Sequence, residues 1–378
     1  MQKRVKKIVF LSHFDANLFL FRLPIMHALV NEGWEVIALC PEGDYHHRFV
    51  EFGVTHVSYD IDRGSLNPLR EIVSIFSITR VLKDLRPDIL HTFTVKPNIY
   101  GLLAGRAAKI DQMYASVTGL GSFFIERDLK SKIVKKLTLF LYKIVFRYAT
   151  VVTFQNHDDQ NLFIKHNLIN KERTRLIKGS GIDTHLWQSH HKKSDGTVHF
   201  LFVGRLLKHK GVGEFIQAAT TLKKHYKHRV KFVIAGDFYD GNPYGLDPEV
   251  LDQAIKADVI TFEGWQNDVL PYLQACDVFV LPSYREGLPR TALEAASMSR
   301  AIITSDAVGC RECVEEGANG FLVPVGDSHK LAQAMEKFVK KEELIHTMAK
   351  ASRAKALAEF DVEMIVKAHL KMYKKELF

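Results

Sequence analysis

Two short segments in the second half of the chain bring together residue types that bind anions and hydroxyl groups. The first is Val203-Gly204-Arg205-Leu206-Leu207-Lys208-His209-Lys210-Gly211, where an apolar run ends at a glycine and two cations follow within six residues. A glycine lets the backbone approach a ligand closely, and an Arg with a Lys can neutralise a diphosphate. Taken alone, the same segment also reads as a solvated basic loop. The second is Pro282-Ser283-Tyr284-Arg285-Glu286-Gly287-Leu288-Pro289-Arg290-Thr291-Ala292-Leu293-Glu294-Ala295. Here a buried strand enters a Gly/Pro turn and then a helix, with Glu294 about two turns beyond the mouth where Glu286 sits. Backbone amides near Gly287, Leu288 and Pro289 would open the helix and seat a phosphate, while the carboxylates could accept hydrogen bonds from sugar hydroxyls. The bland reading is one Glu complementing the helix dipole and one on the surface.

The elements around these segments form a repeated rhythm. Apolar, β-branched runs at 7–12, 35–40, 89–91, 113–117 and 151–154 read as buried parallel strands, and 23–32 and 68–83 have helical spacing. Six more runs, at 198–204, 231–236, 259–263, 278–282, 301–305 and 321–324, repeat the pattern. Strand–helix alternation of this kind predicts doubly wound parallel sheets. The expected organisation is two facing Rossmann-like domains, 1–184 and 197–358, with ligands in a deep cleft at the carboxyl ends of the strands. The polar stretch 185–197 reads as a linker. A C-terminal amphipathic helix, 359–378, is expected to pack back toward the N-terminal domain.

Composition narrows the partners. With 52 Lys and Arg against 43 Asp and Glu, the net charge of +9 suggests an anionic partner: a phosphate-rich ligand, nucleic acid or an anionic membrane surface. The basic residues are dense at 130–147 and 223–231, two distant segments rather than one face interleaved with stacking aromatics, which argues against nucleic acid. Four scattered cysteines make a disulfide framework improbable and fit a reducing cytoplasm. No secretory leader is read at the N-terminus, and no uncharged apolar run reaches the roughly 18–20 residues that span a bilayer. Cys310-Arg311-Glu312-Cys313 has no second pair nearby and reads as ordinary loop and helix residues. The loop after the first strand, Ser12-His13-Phe14-Asp15-Ala16-Asn17, holds no glycine, against dinucleotide binding in the first half. Asp60-Ile61-Asp62 reads as a strand-end pair rather than a metal motif, and no metal or other cofactor is expected.

The second half resembles the C-terminal domain of the family four retaining glycosyltransferases, which have the GT-B fold, an α/β architecture. The resemblance runs through Gly181-Ile182-Asp183, Gly204-Arg205, Lys210-Gly211, Ala235-Gly236-Asp237, Gly264, Glu286 to Glu294, Gly309-Cys310-Arg311-Glu312 and Asn319-Gly320-Phe321 with Pro324. It implies that Arg205 and Lys210 bind the donor diphosphate, that Glu286 lies beside the transferred sugar and that Glu294 holds the ribose. Gly204, Gly236, Asp237, Gly287, Leu288 and Pro289 would complete the nucleotide-sugar site. One departure is Met298-Ser299-Arg300, where the family carries a glycine before the arginine.

Phe21-Arg22-Leu23-Pro24, Ser65-Leu66-Asn67-Pro68 and Gly119-Leu120-Gly121-Ser122-Phe123-Phe124 in the first half resemble a narrower bacterial group. Its members extend undecaprenyl-diphosphate-linked sugars, as does the α-1,3-N-acetylgalactosaminyltransferase group acting on diacetylbacillosaminyl-diphospho-undecaprenol. The resemblance implies a UDP-sugar donor, UDP-GalNAc or UDP-GlcNAc, and a polyprenyl-diphosphate-linked saccharide acceptor. It makes His13, Asn17, Arg22, Lys96, Thr118, Gly119 and Gly121 the acceptor-binding candidates. Many relatives carry a histidine where this chain has Thr118; His13 or His91 could compensate, although a strand-end histidine also serves structure. Within 130–147 the basic first half is expected at the cytoplasmic face of an anionic membrane, and the apolar end, 137–146, in the core. A nucleotide-sugar 2-epimerase is the rival in the same fold; it does not explain the Glu286/Glu294 spacing.

Overall fold

The computed structural model describes residues 5–61, 67–121, 124–125, 128–188, 196–238 and 244–375. Asp62, Ser65-Leu66, Ser122-Phe123 and most of the expected linker lie outside the described residues. The chain divides into two compact units, one formed by Met1–Ser180 with Val362–Phe378 and the other by Gly181–Asp361.

Unit 1 is built on strands β1 (Lys7–Leu11), β2 (Glu35–Leu39), β3 (Thr55–Val57), β4 (Ile89–Phe93), β5 (Gln112–Val117), β6 (Val151–Phe154) and β7 (Thr174–Leu176). All pair in parallel, in the order β3-β2-β1-β4-β5-β6-β7. Its helices are α1 (Asp15–Asn31), α2 (Pro68–Leu85), α3 (Val95–Ala107), α4 (Leu129–Val145) and α5 (His157–Lys165). Unit 2 repeats the plan with β8 (Val198–Val203), β9 (Val230–Ala235), β10 (Thr261–Phe262), β11 (Val278–Leu281), β12 (Ala301–Ser305) and β13 (Gly320–Val323). The order is β10-β9-β8-β11-β12-β13, again all parallel. Helices α6 (Val212–Tyr226), α7 (Pro248–Lys256), α8 (Leu270–Ala275), α9 (Arg290–Ser297), α10 (Ser328–Lys340) and α11 (Glu343–Lys355) complete it, and α12 (Val362–Lys374) belongs to unit 1.

The central strands are apolar at successive positions because helices cover both sheet faces; Ile8, Val9, Phe10 and Leu11 are all buried, as are Val278, Phe279, Val280 and Leu281. β3 and β7 escape the sequence reading because each is three residues long and lies at a sheet edge, where polar residues are tolerated. Helix α1 begins at Asp15, eight residues before the expected start, and runs through Pro24. Its 3.6-residue pattern is hidden because it packs on β2 and on the turn at His46–Phe52 as well as beneath α12, burying more than one stripe.

A buried polar network helps to fasten α12 to unit 1. His91 pairs through Nδ1 with the Tyr373 hydroxyl at 2.5 Å and through Nε2 with Ser116 Oγ at 2.8 Å, and the Tyr114 hydroxyl donates to the Met372 carbonyl at 3.2 Å. Burial, then the charges of His369 and Arg22, hold the His91 pKa well below its usual value. His91 is therefore a neutral structural residue with both ring nitrogens engaged, and it is not the substitute for the missing loop histidine.

Ser299, where the family has glycine, closes α9 in the left-handed region at φ 56, with Arg300 N–H donating to the Ala295 carbonyl at 2.9 Å. A side chain in that conformation costs about 1–2 kcal/mol, a penalty glycine does not carry. Ser299→Gly is expected to stabilise the protein by up to about 1 kcal/mol, since glycine also loses more chain entropy on folding. Denaturant melts of the two proteins check it; an unchanged or lower midpoint would contradict this account.

Candidate functional site

In both sheets the strand order reverses direction beside the first strand, at β1/β4 in unit 1 and β8/β11 in unit 2. Crossovers leave such a pair in opposite directions and open a crevice at the carboxyl ends. In unit 2 these ends carry the residues singled out by type and spacing: Gly204-Arg205 after β8 and the 282–290 turn after β11.

Local geometry explains how they are held. After β8 a short 3-10 turn, Lys208–Lys210, ends at Gly211, whose φ of 78 is left-handed. A Cβ at Gly211 would lie 2.2 Å from the Pro282 carbonyl oxygen, so only glycine lets this turn press against the end of β11. The Tyr284 amide donates to the His209 carbonyl at 2.8 Å, stitching the two segments together. The outcome is a contact between residues 76 positions apart: Lys210 Nζ donates to Glu286 Oε1 at 2.5 Å, with both side chains mostly buried (16% and 13% exposed). The Glu286 amide donates to the Val308 carbonyl at 2.9 Å, which anchors the loop bearing the carboxylate. Arg205 is exposed just beyond Gly204. Burial, then the charges of Lys210 and Arg205, lower the His209 pKa, so this imidazole adds no charge near neutral pH. Gly236 follows β9, and a Cβ there would lie 1.9 Å from the Gly204 carbonyl oxygen; a Cβ at Gly204 would meet nothing closer than the Phe202 ring at 3.7 Å. The packing of this chain therefore demands glycine at 236 and leaves the approach to 204 open. Asp237 is exposed, and Leu288 and Pro289 are buried.

Glu294 is 6% exposed, one turn behind Arg290, whose Nε donates to it at 3.0 Å. Burial raises its pKa to about 7, against the lowering pull of Arg290. Tyr284 donates to Glu214 at 2.6 Å, and burial, then Glu214, push its pKa up to about 12. Spacing did not reveal this pair, because α6 and the β11 turn meet only in three dimensions. Cys310 and Cys313 are buried and free, with burial raising the Cys310 pKa to about 12 and that of Cys313 well above its usual value. They are inert packing residues.

In unit 1 the expected acceptor residues gather mostly at the same kind of edge. His13 and Asn17 follow β1, Lys96 opens α3 after β4, and Thr118, Gly119 and Gly121 follow β5. Ser12 Oγ donates to Asn17 Oδ1 at 3.2 Å, and Lys96 Nζ to Glu71 Oε1 at 2.8 Å. Glu71 also accepts from Tyr100, whose pKa burial raises. Arg22 is buried, with its guanidinium 4.8 Å over the ring of Phe93, the last residue of β4. Thr94 was not singled out by the sequence, yet it has φ 75 and ψ 172 and shares a hydrogen bond of 2.7 Å with His13 Nδ1. The crevice differs in charge from that of unit 2. Asp15, in the first turn of α1, accepts from the Tyr45 amide at 2.6 Å and places a carboxylate where a dinucleotide fold would seat phosphate.

This architecture and the cation–carboxylate site of unit 2 define a sugar-transferring enzyme of the GT-B type. Residues 183–355 match the family described as "Glycosyl transferases group 1" and residues 7–156 that described as "Glycosyl transferase 4-like". The chain belongs to this glycosyltransferase family. It is 32% identical, over 97% of its length and 98% of the relative's, to the N,N'-diacetylbacillosaminyl-diphospho-undecaprenol alpha-1,3-N-acetylgalactosaminyltransferase of Campylobacter jejuni. It is 26% identical, over 88% of its length and 87% of the relative's, to the UDP-Gal:alpha-D-GlcNAc-diphosphoundecaprenol alpha-1,3-galactosyltransferase of Escherichia coli. Among solved structures, Anabaena HepE in complex with UDP shares the fold at a TM-score of 0.78 and 20% identity, covering 98% of this chain and all (100%) of that one.

Glu294 sets a pH dependence of known sign. Its folded pKa of about 7 lies above the ordinary 4.5, so its contribution to stability is full below pH 4.5 and lost as pH rises to 7. Glu294→Gln removes that dependence: between pH 5 and 7.5 the wild type is expected to lose on the order of 1–3 kcal/mol relative to the variant. Parallel urea melts across this range measure it, and parallel pH profiles would refute it.

Proposed function

We propose that the protein transfers N-acetylgalactosamine, with retention of configuration, from UDP-GalNAc to an undecaprenyl-diphosphate-linked saccharide, with unit 2 taking the donor and unit 1 the acceptor. The observation that carries the reading is the Lys210–Glu286 pair at the β8/β11 switch point, with end-to-end similarity to the Campylobacter enzyme supporting the choice of sugar and acceptor. The Escherichia coli relative supports the same acceptor class with galactose as the alternative donor sugar.

The chemistry follows from charge. Breaking the bond to the leaving diphosphate concentrates negative charge on phosphate oxygens, and preorganised cations lower that barrier most. Arg205, Lys210 and the amides that open α9 supply the positive end, so no metal ion is required. Lys210 is held by Glu286 when no phosphate competes for it; a diphosphate would draw the ammonium away and leave Glu286 to accept from sugar hydroxyls. Glu294 would receive the ribose hydroxyls. The acceptor attacks from the face the diphosphate leaves, and the departing phosphate oxygen takes its proton.

The lipid-linked acceptor implies work at a membrane surface, and unit 1 has a face suited to it. Leu129, Ile133, Leu137 and Phe140 are exposed (73%, 58%, 55% and 59%) and follow helical spacing along one side of α4. Exposed Lys132, Lys136 and Lys143 flank one side of that stripe and Lys130 the other. Ile72, Val73 and Phe76 are exposed on the early turns of α2, which packs on α3 as α4 does. This revises the expected division of α4: Tyr142, Val145 and Phe146 do pack inward, but Leu137 and Phe140 face out, and Ser131 and Thr138 take inward positions. No helix among the described residues is long and apolar enough to cross a membrane. Apolar area with flanking lysines, each contributing about 1 kcal/mol at an anionic surface, fits peripheral attachment at the cytoplasmic leaflet.

Two experiments test these readings. Purified protein with UDP-GalNAc and a diacetylbacillosaminyl-diphospho-polyprenol in EDTA should release UDP only when the acceptor is present. Lys210→Ala should lower kcat about 10²–10³-fold; UDP release indifferent to acceptor, or dependent on added metal, would refute the assignment. Separately, the protein should sediment with phosphatidylglycerol vesicles and not with phosphatidylcholine vesicles. Replacing Lys130, Lys132, Lys136 and Lys143 by Glu should abolish sedimentation, and retained binding would exclude α4 as the contact.

A further inference from the structure

We propose that Thr94 is a positioning residue for the acceptor, holding the ring of His13 at the β1/β4 switch point of unit 1; this rests on the reading that unit 1 takes the acceptor. Strand β4 ends at Phe93 and α3 begins at Val95, so Thr94 alone turns the chain from strand to helix. It does so at φ 75 and ψ 172, a region populated almost only by glycine, and a β-branched residue there is a genuine outlier. Glycine would make the same turn without strain, and this chain uses glycine at another tight strand exit, Gly236 after β9. The fold alone therefore gives no reason for a threonine.

The hydroxyl does. Thr94 Oγ1 lies 2.7 Å from His13 Nδ1, and His13 stands two residues beyond the end of β1, the strand paired with β4. One hydrogen bond thus ties together the two strand exits that border the crevice. Holding Nδ1 fixes the plane of the imidazole and aims its other nitrogen, which the ring needs in order to exchange a directed hydrogen bond with a sugar hydroxyl. The adjoining exits are equally constrained: Asn17 is held by Ser12, and Lys96, two residues after Thr94, by Glu71. Thr94 touches neither reactant in this assignment; it acts through His13.

The test uses the full chain with UDP-GalNAc and the diacetylbacillosaminyl-diphospho-polyprenol acceptor. Thr94→Val and Thr94→Gly each remove the hydroxyl, and Thr94→Gly also relieves the strain. Both should lower kcat/KM for the acceptor about tenfold, the equivalent of one lost hydrogen bond, with UDP-GalNAc affinity unchanged. Thr94→Gly should melt no lower than wild type, Thr94→Ser should restore the acceptor kinetics, and Thr94→Val should add nothing in a His13→Ala background. Silent Thr94 variants beside an impaired His13→Ala would overturn the proposal alone. A silent His13→Ala would overturn it together with the assignment of the acceptor to this edge. Joint loss of melting temperature and donor affinity in all three Thr94 variants would make Thr94 structural and also overturn it.

Discussion

The reversal of strand order beside the first strand of each sheet is the constraint on which the rest of the molecule depends. Parallel strands need crossovers, crossovers of one hand wind helices onto both faces, and where winding switches sides no crossover spans the carboxyl ends. Both units of this protein have such a point, at β1/β4 and at β8/β11. Arg205, Lys210 and Glu286 in unit 2, and His13 and Lys96 in unit 1, lie on a loop or helix start at one of these two places.

The same plan produces opposite electrostatics because a few residues differ. In unit 2 the chain leaves β8 through Gly204, Arg205 and Lys210, and the nearest carboxylate is engaged by that lysine. A mostly buried ion pair of this kind repays its desolvation only when the geometry is good, and a ligand bearing two negative phosphates can compete for the cation. In unit 1 the chain leaves β1 through His13 and reaches Asp15, whose carboxylate is already bound to a backbone amide. Such an edge disfavours phosphate and suits groups that exchange hydrogen bonds without charge. Sugar hydroxyls are of that type.

Burial separates reactive from inert groups throughout. Glu294 is shifted upward by burial yet keeps Arg290 as a counter-charge, so it remains able to ionise near neutrality. Cys310 and Cys313 are buried more completely, and their thiols stay protonated. His91 shows the same effect with opposite sign, remaining neutral between Tyr373 and Ser116. On α4 the selection works outward. Small or polar Ser131 and Thr138 take inward positions while Leu129, Ile133 and Phe140 face solvent, an inversion of the usual amphipathic arrangement.

The sequence by itself determined the doubly wound plan, because strands covered on both faces must be apolar at successive positions and the connecting helices follow their own period. It also singled out Gly204, Arg205, Lys210, Glu286 and Glu294 as donor-site candidates, because they fall in two short segments whose spacing is local and whose pattern resembles the family's. It did not disclose β3 or β7, which are too short and polar to show a period, nor the start of α1, whose packing on several sides erases one. Tertiary structure alone decided that Lys210 meets Glu286 across 76 positions, that Arg22 and His91 are structural neighbours of buried aromatics, and that Leu137 and Phe140 face outward. It alone revealed Thr94, because a residue's type does not disclose its φ. Strain and long-range pairing arise only when distant strand exits are brought to one edge, and residue spacing along the chain contains no term for that.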